Sequence, residues 1–242
     1  NGIRDFYDKT LFVYIETFGL LEEEFKEYVG GNLKDFTVLD AFDSLFLNGK
    51  ANQEAQNPSK YLLYQDPMAG TFDREVVESG VGTGAYYEKL KKMMEICQEN
   101  SPEYAALFAY YEKLAAVLAD KADLGVRMKA AYDKKQLLAL KEICEKEIPE
   151  TIQNLEEMKI LREDLWMSEA KPFGYELMDV KLGSVITRLN STIRRIKKYL
   201  DGSIPCLEKL EEIRLPYFEK NADKRENHWS QITSGSDLID TI

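Results

Sequence analysis

The stretch that decides the fold is residues 101–134, SPEYAALFAYYEKLAAVLADKADLGVRMKAAYDK. Ser101 is a favoured N-cap residue, Pro102 suits the first helical position, and Glu103 places negative charge at the positive end of the helix dipole. The pattern predicts one helix of about 30 residues, about 45 Å long, whose wide apolar face must be packed by other helices. That face is formed by apolar residues at three- and four-residue spacing, with alanines between them: Leu107, Phe108, Tyr111, Leu114, Leu118 and Leu124.

The rest of the chain supplies such partner helices. Amphipathic patterns predict them over residues 86–100, 137–144, 149–168, 176–200 and 204–215. Pro149 is expected in the first turn of its helix, Gly202 is expected to end the helix before it, and Pro216 stops the last one. Long helices joined by short turns are usually antiparallel neighbours. The predicted fold class is therefore all-α, a bundle of long antiparallel helices.

The two ends of the chain differ from the predicted bundle, which spans residues 84–216. Residues 1–46 contain short, aromatic-rich helical patterns and look like the edge of a larger fold. Residues 47–83 carry Gly, Asn and Pro punctuation but many large apolar residues, so we expect an ordered crossing segment, with a ligand-contacting role as the alternative. The tail, 217–242, is polar except for Trp229 and is either frayed or docked on a partner or ligand site.

Composition excludes several classes of protein. The net charge of -11 argues against binding to nucleic acid or to anionic membranes. There is no uncharged apolar run long enough to span a membrane, and the first residues have no secretion-signal pattern. Cys97, Cys144 and Cys206 are odd in number and lack C-x-x-C spacing, which favours free thiols in a reducing cytoplasm.

The single histidine, His228, limits the chemistry further. A His-rich zinc site and a di-iron bundle site both need more histidines, and nothing near His228 resembles a nucleophile elbow. The glycine run 80–84 lacks the lysine of a phosphate-binding loop. We therefore predict no metal and no cofactor, and the chain does not look like a complete enzyme.

Several segments resemble a bacterial branch of the glycoside hydrolase family 20 β-N-acetylhexosaminidases. Residues 57–67, NPSKYLLYQDP, resemble the junction between the catalytic (β/α)8 barrel and the α-helical C-terminal domain of that family. The resemblance begins near Phe36 and covers nearly all of the remaining chain. Further matching segments, in order, are 121–125 (KADLG), 130–132, Trp166 with 171–176 (KPFGYE), Asp179, 182–183, 188–189, and Asn227, Trp229 and Ile232.

The resemblance implies that residues 1–46 are the C-terminal end of a catalytic barrel and that 84–216 are the helical C-terminal domain. It implies a parent enzyme that removes terminal N-acetylglucosamine or N-acetylgalactosamine by substrate-assisted retaining hydrolysis, using an Asp-Glu pair. This chain contains no Asp-Glu dipeptide, and the reversed Glu163-Asp164 is expected on a solvated helix face. We assign no catalytic residue here and expect the chain alone to be inactive.

The resemblance also implies a bacterial cytoplasmic homodimer whose helical domain helps to form the interface. In such a dimer Trp229 is the residue expected to reach the sugar pocket of the other subunit, because an indole ring suits the apolar face of a pyranose. Trp166 lies on a helical stripe and is expected in the core or an interface. A stand-alone helical scaffold or adaptor without enzymatic activity is the alternative, and a bundle that binds an apolar ligand between its helices is a third possibility.

Overall fold

The computed structural model describes residues 62–100, 102–169, 172 and 175–215, which all lie in one compact unit of the chain. A helical turn at 62–64 precedes the longer elements. Within these residues there is no strand, which confirms the prediction of an all-α fold. The elements are α1 (Asp73–Ser79), α2 (Thr83–Asn100), a 3-10 turn (Pro102–Tyr104), α3 (Ala105–Lys121), α4 (Leu124–Asp133), α5 (Leu137–Glu142), a π-helical turn (Ile143–Glu147), α6 (Ile148–Glu169), α7 (Glu176–Leu200) and α8 (Glu208–Glu211).

Contacts between side chains show that α3 and α6 run antiparallel. Lys113 and Glu157 form an ion pair at 2.7 Å. Seven residues later on α3, the Asp120 carboxylate accepts a hydrogen bond at 3.3 Å from Asn154, which precedes Glu157 on α6. Because the contacting residues advance along α3 while their partners go back along α6, the two helices are antiparallel.

The pair formed by α6 and α7 is antiparallel as well. Lys159 of α6 lies 3.6 Å from Asp179 near the start of α7. The thiol of Cys144, which precedes α6, lies 3.6 Å from the carbonyl oxygen of Ile193 near the end of α7. The predicted bundle of long antiparallel helices is therefore confirmed for the described residues.

The predicted single helix over 101–134 is wrong, because the chain breaks at Ala122 and Asp123 between α3 and α4. The break lies directly after Lys121, whose side chain is fully buried and bonded to distant main-chain atoms. Asp is a poor helix-interior residue, and Asp123 instead accepts a hydrogen bond at 2.8 Å from Arg127 Nε. Tertiary contacts here outweigh the helical preference of the local sequence.

The ends of α7 follow the predicted signals. The helix spans Glu176–Leu200 as predicted, with acidic residues in its first turn and Lys197 and Lys198 in its last. Gly202 has a φ of 78°, and its amide donates to the carbonyl oxygen of Tyr199. A left-handed residue after a helix is the usual place for glycine, so Gly202 ends α7 in the expected way.

The last predicted helix, 204–215, is wrong in extent, since only Glu208–Glu211 is helical. Leu207 and Leu210 are buried, but Ile213 is exposed, so the segment lacks a continuous apolar face. Glu212 is extended, with φ -66° and ψ 146°, and the extended chain brings Arg214 back towards residues 68–73.

Pro149 lies in the first turn of α6, as predicted. The predicted break before Pro149 is wrong, because the π-helical turn Ile143–Glu147 joins α5 directly to α6 without a loop. Proline has no amide hydrogen and clashes with the carbonyl four residues back. The wider π turn accommodates this proline without breaking the path of the helix.

Candidate functional site

The residues between the turn at 62–64 and α1 are bound to the helices through a buried set of charges. Five side chains form it, and we call them the polar junction: Asp66, Asp73, Lys121, Arg188 and Arg214. They come from the connecting segment, α1, α3, α7 and the chain after α8.

Lys121 is the last residue of α3 and is fully buried. Its ammonium group donates hydrogen bonds to the main-chain oxygens of Leu62 (2.9 Å) and Gln65 (2.7 Å). Burial lowers the pKa of Lys121 to about 7, although the carboxylates of Asp66 and Asp73 oppose that shift. Lys121 thus anchors residues 62–65 to the bundle through two buried hydrogen bonds.

Asp66 connects the same segment to α7. Its Oδ2 accepts hydrogen bonds from Arg188 Nε (2.9 Å) and Nη2 (2.6 Å), and its Oδ1 accepts one from the Met68 amide (3.0 Å). The Asp66 side chain is fully buried, whereas 34% of the Arg188 side chain is exposed. These charge-assisted hydrogen bonds to a buried carboxylate constrain the position of the segment strongly, because loss of a donor leaves part of the charge without compensation.

Asp73, the first residue of α1, faces Arg214. The two side chains are almost completely buried, with 3.5 Å between Asp73 Oδ2 and Arg214 Nε. Arg214 also donates to the main-chain oxygens of Met68 (3.0 Å) and Ala69. Burial raises the pKa of Asp73 to about 6, outweighing the attraction of Arg214 and Lys121.

Two glycines make room for the Asp73 carboxylate. Gly70 has a φ of 54°, and a Cβ atom there would lie 2.2 Å from Asp73 Oδ2. A Cβ atom on Gly125 of α4 would lie 2.6 Å from both carboxylate oxygens. Both glycines are therefore required by close approach of this buried side chain.

The polar junction attaches the connecting segment to the helices. Its cations are bonded to carboxylates or main-chain oxygens that are themselves buried, and these contacts hold residues 62–73 against α3, α4, α7 and the chain after α8. Buried charges need such partners, and breaking one pair is strongly destabilising. The site therefore fixes where the connecting segment enters the helical bundle.

The residues that the sequence pattern singled out do not form one site in the structure. Trp166 is half-buried on α6, with its ring 5.9 Å from that of Tyr175 and the Arg162 guanidinium 5.4 Å from its ring centre. Glu163 and Asp164 are exposed on α6, as expected for a solvated face. Trp229 lies outside the described residues.

Sequence reasoning missed most of the polar junction. Lys121 and Arg188 stand out in the sequence only as parts of the family resemblance, and no pattern singles out Asp73 or Arg214. A charged residue at the end of an apolar helix, such as Lys121, is the one available signal, but it is equally typical of a surface lysine.

In the described ranges no three His, Cys, Asp or Glu residues are placed to hold a metal ion, and no helix is long and apolar enough to cross a membrane.

A family model described as Glycoside Hydrolase 20C C-terminal domain matches residues 34–229, which is most of the chain and includes the whole polar junction. Among curated proteins no match was found.

Proposed function

Because the chain belongs to the glycoside hydrolase 20C C-terminal domain family, we propose that it is the helical C-terminal domain of an exo-β-N-acetylhexosaminidase. The parent enzyme removes terminal N-acetylglucosamine or N-acetylgalactosamine by substrate-assisted retaining hydrolysis. The catalytic Asp-Glu pair lies in a (β/α)8 barrel, whose last part is residues 1–46. Residues 47–83 connect that barrel to the helical domain, and the described helices provide support without catalytic residues of their own.

The observation that carries this proposal is the family match, and the polar junction agrees with it. A domain attached to a catalytic barrel needs a fixed entry point, and residues 62–73 are held to the helices by buried charges. Glu163 and Asp164, which stand in the reverse of the family's order, are exposed on α6.

The test is hydrolysis of an aryl N-acetyl-β-glucosaminide. We expect no release of the aryl group by the 242-residue chain, and release by the product of the reading frame extended upstream of Asn1. The matched control is the extended protein in which the glutamate of its Asp-Glu pair is replaced by glutamine. Hydrolysis by the 242-residue chain alone would contradict the proposal, and so would a reading frame with no barrel upstream, which would favour the scaffold alternative.

The parent enzyme is proposed to be a homodimer with an interface on the helical domain. Exposed apolar side chains on neighbouring helices support this: Ile160 of α6 is 59% exposed and Val180 of α7 is 53% exposed. Sedimentation analysis of the 242-residue chain should give twice its mass of 27.9 kDa. Ile160→Asp should shift the mass towards one chain, whereas Ile96→Asp, equally exposed on α2 at 55%, should not. A single-chain mass for the unaltered protein would contradict the dimer.

Trp229 is proposed to contact substrate bound to the other subunit. The indole ring stacks on the sugar and its N–H supplies one donor. Trp229→Ala in the barrel-containing enzyme should raise KM at least about tenfold, as expected for loss of a stacked aromatic, while Trp166→Phe leaves KM unchanged. An unchanged KM for Trp229→Ala would remove this residue from the site.

The proposed location is the bacterial cytoplasm. The thiols of Cys97 and Cys144 are buried and that of Cys206 is half-buried, and all three are free. Free thiols are typical of a reducing compartment.

A further inference from the structure

A pocket on the second half of α7 carries a concentration of positive charge. Its volume is about 460 Å³, in the size range of sites for small molecules. Met68 lies at one side, and the charged residues that line the pocket are Arg188, Arg194, Arg195, Lys198, Glu208 and Lys209. Five cations and one carboxylate thus line a single depression of a chain whose net charge is -11.

Two of the cations already have carboxylate partners. Arg188 is paired with the buried Asp66, and Arg195 is paired with Glu208 of α8. Within the part of the chain that the structure describes, no carboxylate lies within ion-pair distance of Arg194, Lys198 or Lys209. The Asp201 carboxylate also interacts electrostatically with Lys198. Five cations less the carboxylates of Asp66, Glu208 and Asp201 leave the pocket a surplus of about two positive charges.

The helix dipole accounts for only part of this surplus. Lys198 lies in the last turn of α7, where a cation is favoured by the carbonyl end of the helix. Arg194 lies four residues earlier, and like charges at this spacing repel each other. The Asp201 carboxylate, which accepts the Ser203 amide at 2.8 Å, offsets part of the charge of Lys198 but leaves Arg194 and Lys209 without a carboxylate within ion-pair distance in the described residues. An external anion is the partner that would offset the repulsion.

The donors suit a tetrahedral oxyanion. Arg194 Nη2 donates to Ser191 Oγ at 2.7 Å, and both residues line the pocket. Guanidinium groups bind phosphate through paired N–H donors, and flexible lysines add point charges. We infer that this α7–α8 pocket binds a small molecule that carries a phosphate or sulfate group. The site is independent of the hexosaminidase proposal, since it uses none of the proposed substrate contacts.

The test is titration of the 242-residue chain with inorganic phosphate and, separately, sodium sulfate. Calorimetry and the thermal unfolding midpoint are read at constant ionic strength, with chloride as the balancing anion. We expect saturable binding, a raised midpoint, and a dissociation constant at least about tenfold higher in Lys198→Ala and Lys209→Ala, because each loses a charge-assisted hydrogen bond. Lys146→Ala removes an exposed lysine outside the pocket and should bind as the unaltered chain does.

The outcomes separate the ligand classes. Binding of phosphate but not sulfate assigns the site to phosphate esters, and the reverse assigns it to sulfate esters. Absence of saturable binding by both anions overturns the inference. So does an equal loss of affinity in Lys146→Ala, and so does binding of a polyanion such as heparin without any binding of the small anions.

Discussion

The Arg188 guanidinium donates two hydrogen bonds to Asp66 Oδ2, at 2.9 and 2.6 Å, across 122 residues of sequence. This contact joins α7 to the segment that enters the helical bundle. Because Asp66 is buried, its charge depends on these donors and on the Met68 amide. The account of this domain as a fixed support rests on the strength of such contacts.

Arg188→Ala should lower the free energy of unfolding by about 2 kcal/mol or more, since it removes two charge-assisted hydrogen bonds from the buried Asp66 carboxylate. Urea denaturation measures the change. The matched control is Arg195→Ala on the same helix, whose pair with Glu208 is exposed, and which should cost less than about 1 kcal/mol. Equal effects in the two variants would mean that burial of Asp66 contributes nothing.

Gly125→Ala and Gly183→Ala should change stability in opposite directions. Both glycines are helical, but a Cβ atom at Gly125 would lie 2.6 Å from the Asp73 carboxylate, while none of the surrounding atoms lies within 4 Å of one at Gly183. We expect a loss of about 1–3 kcal/mol for Gly125→Ala from overpacking. Gly183→Ala should gain about 0.5–1 kcal/mol from helix propensity. Thermal unfolding compares them, and a stabilising Gly125→Ala would contradict the described packing around Asp73.

Asp73 should make the fold less stable as pH rises from about 4 to 6. Burial raises the pKa of Asp73 to about 6, so in this window the folded chain keeps a proton that the unfolded chain has lost. The stabilisation is complete below the unfolded pKa and is lost as pH passes the folded value. Relative to Asp73→Asn, the unaltered chain should lose roughly 3 kcal/mol of unfolding free energy across this window. A difference between the two proteins that does not vary with pH would contradict the burial of this carboxyl group.

Lys121, in contrast, should make the fold more stable as pH rises from 7 to about 10. Burial lowers its pKa to about 7, so between pH 7 and about 10 the unfolded chain binds a proton that the folded chain has released. Stability contributed by Lys121 should therefore rise across this window. Denaturation of the unaltered chain and of Lys121→Met at pH 7, 8 and 9 measures it, with the exposed Lys146→Met as control. Parallel pH dependence in the unaltered chain and Lys121→Met would show that Lys121 is solvated.

The sequence predicts α7 well but the polar junction poorly, for a physical reason. The limits of α7 follow from local signals: apolar periodicity, an acidic first turn and Gly202. The break at Ala122–Asp123 follows from Lys121, whose partners are 56 and 59 residues away, and no local pattern reveals such a contact. The short α8 has the same origin, since the chain after it extends to bring Arg214 to Asp73.

The family resemblance indicated parts of the polar junction that the apolar periodicity did not reveal. It grouped the segments around Asp66, Lys121 and Arg188, which the structure brings together through the polar junction. It gave no indication of Asp73 or Arg214. The predicted role of Trp229 concerns a residue outside the described ranges and stays a prediction.

Hydrogen exchange at the Met68 and Phe72 amides tests most directly whether the entry segment is fixed to the helices. These amides donate to Asp66 Oδ1 and Gln65 Oε1, each at 3.0 Å, rather than to a regular helix. We predict protection comparable to that of Leu118 in α3, and loss of Met68 protection in Arg188→Ala while Leu118 remains protected. Exchange of both amides at unprotected rates in the unaltered chain would contradict the account.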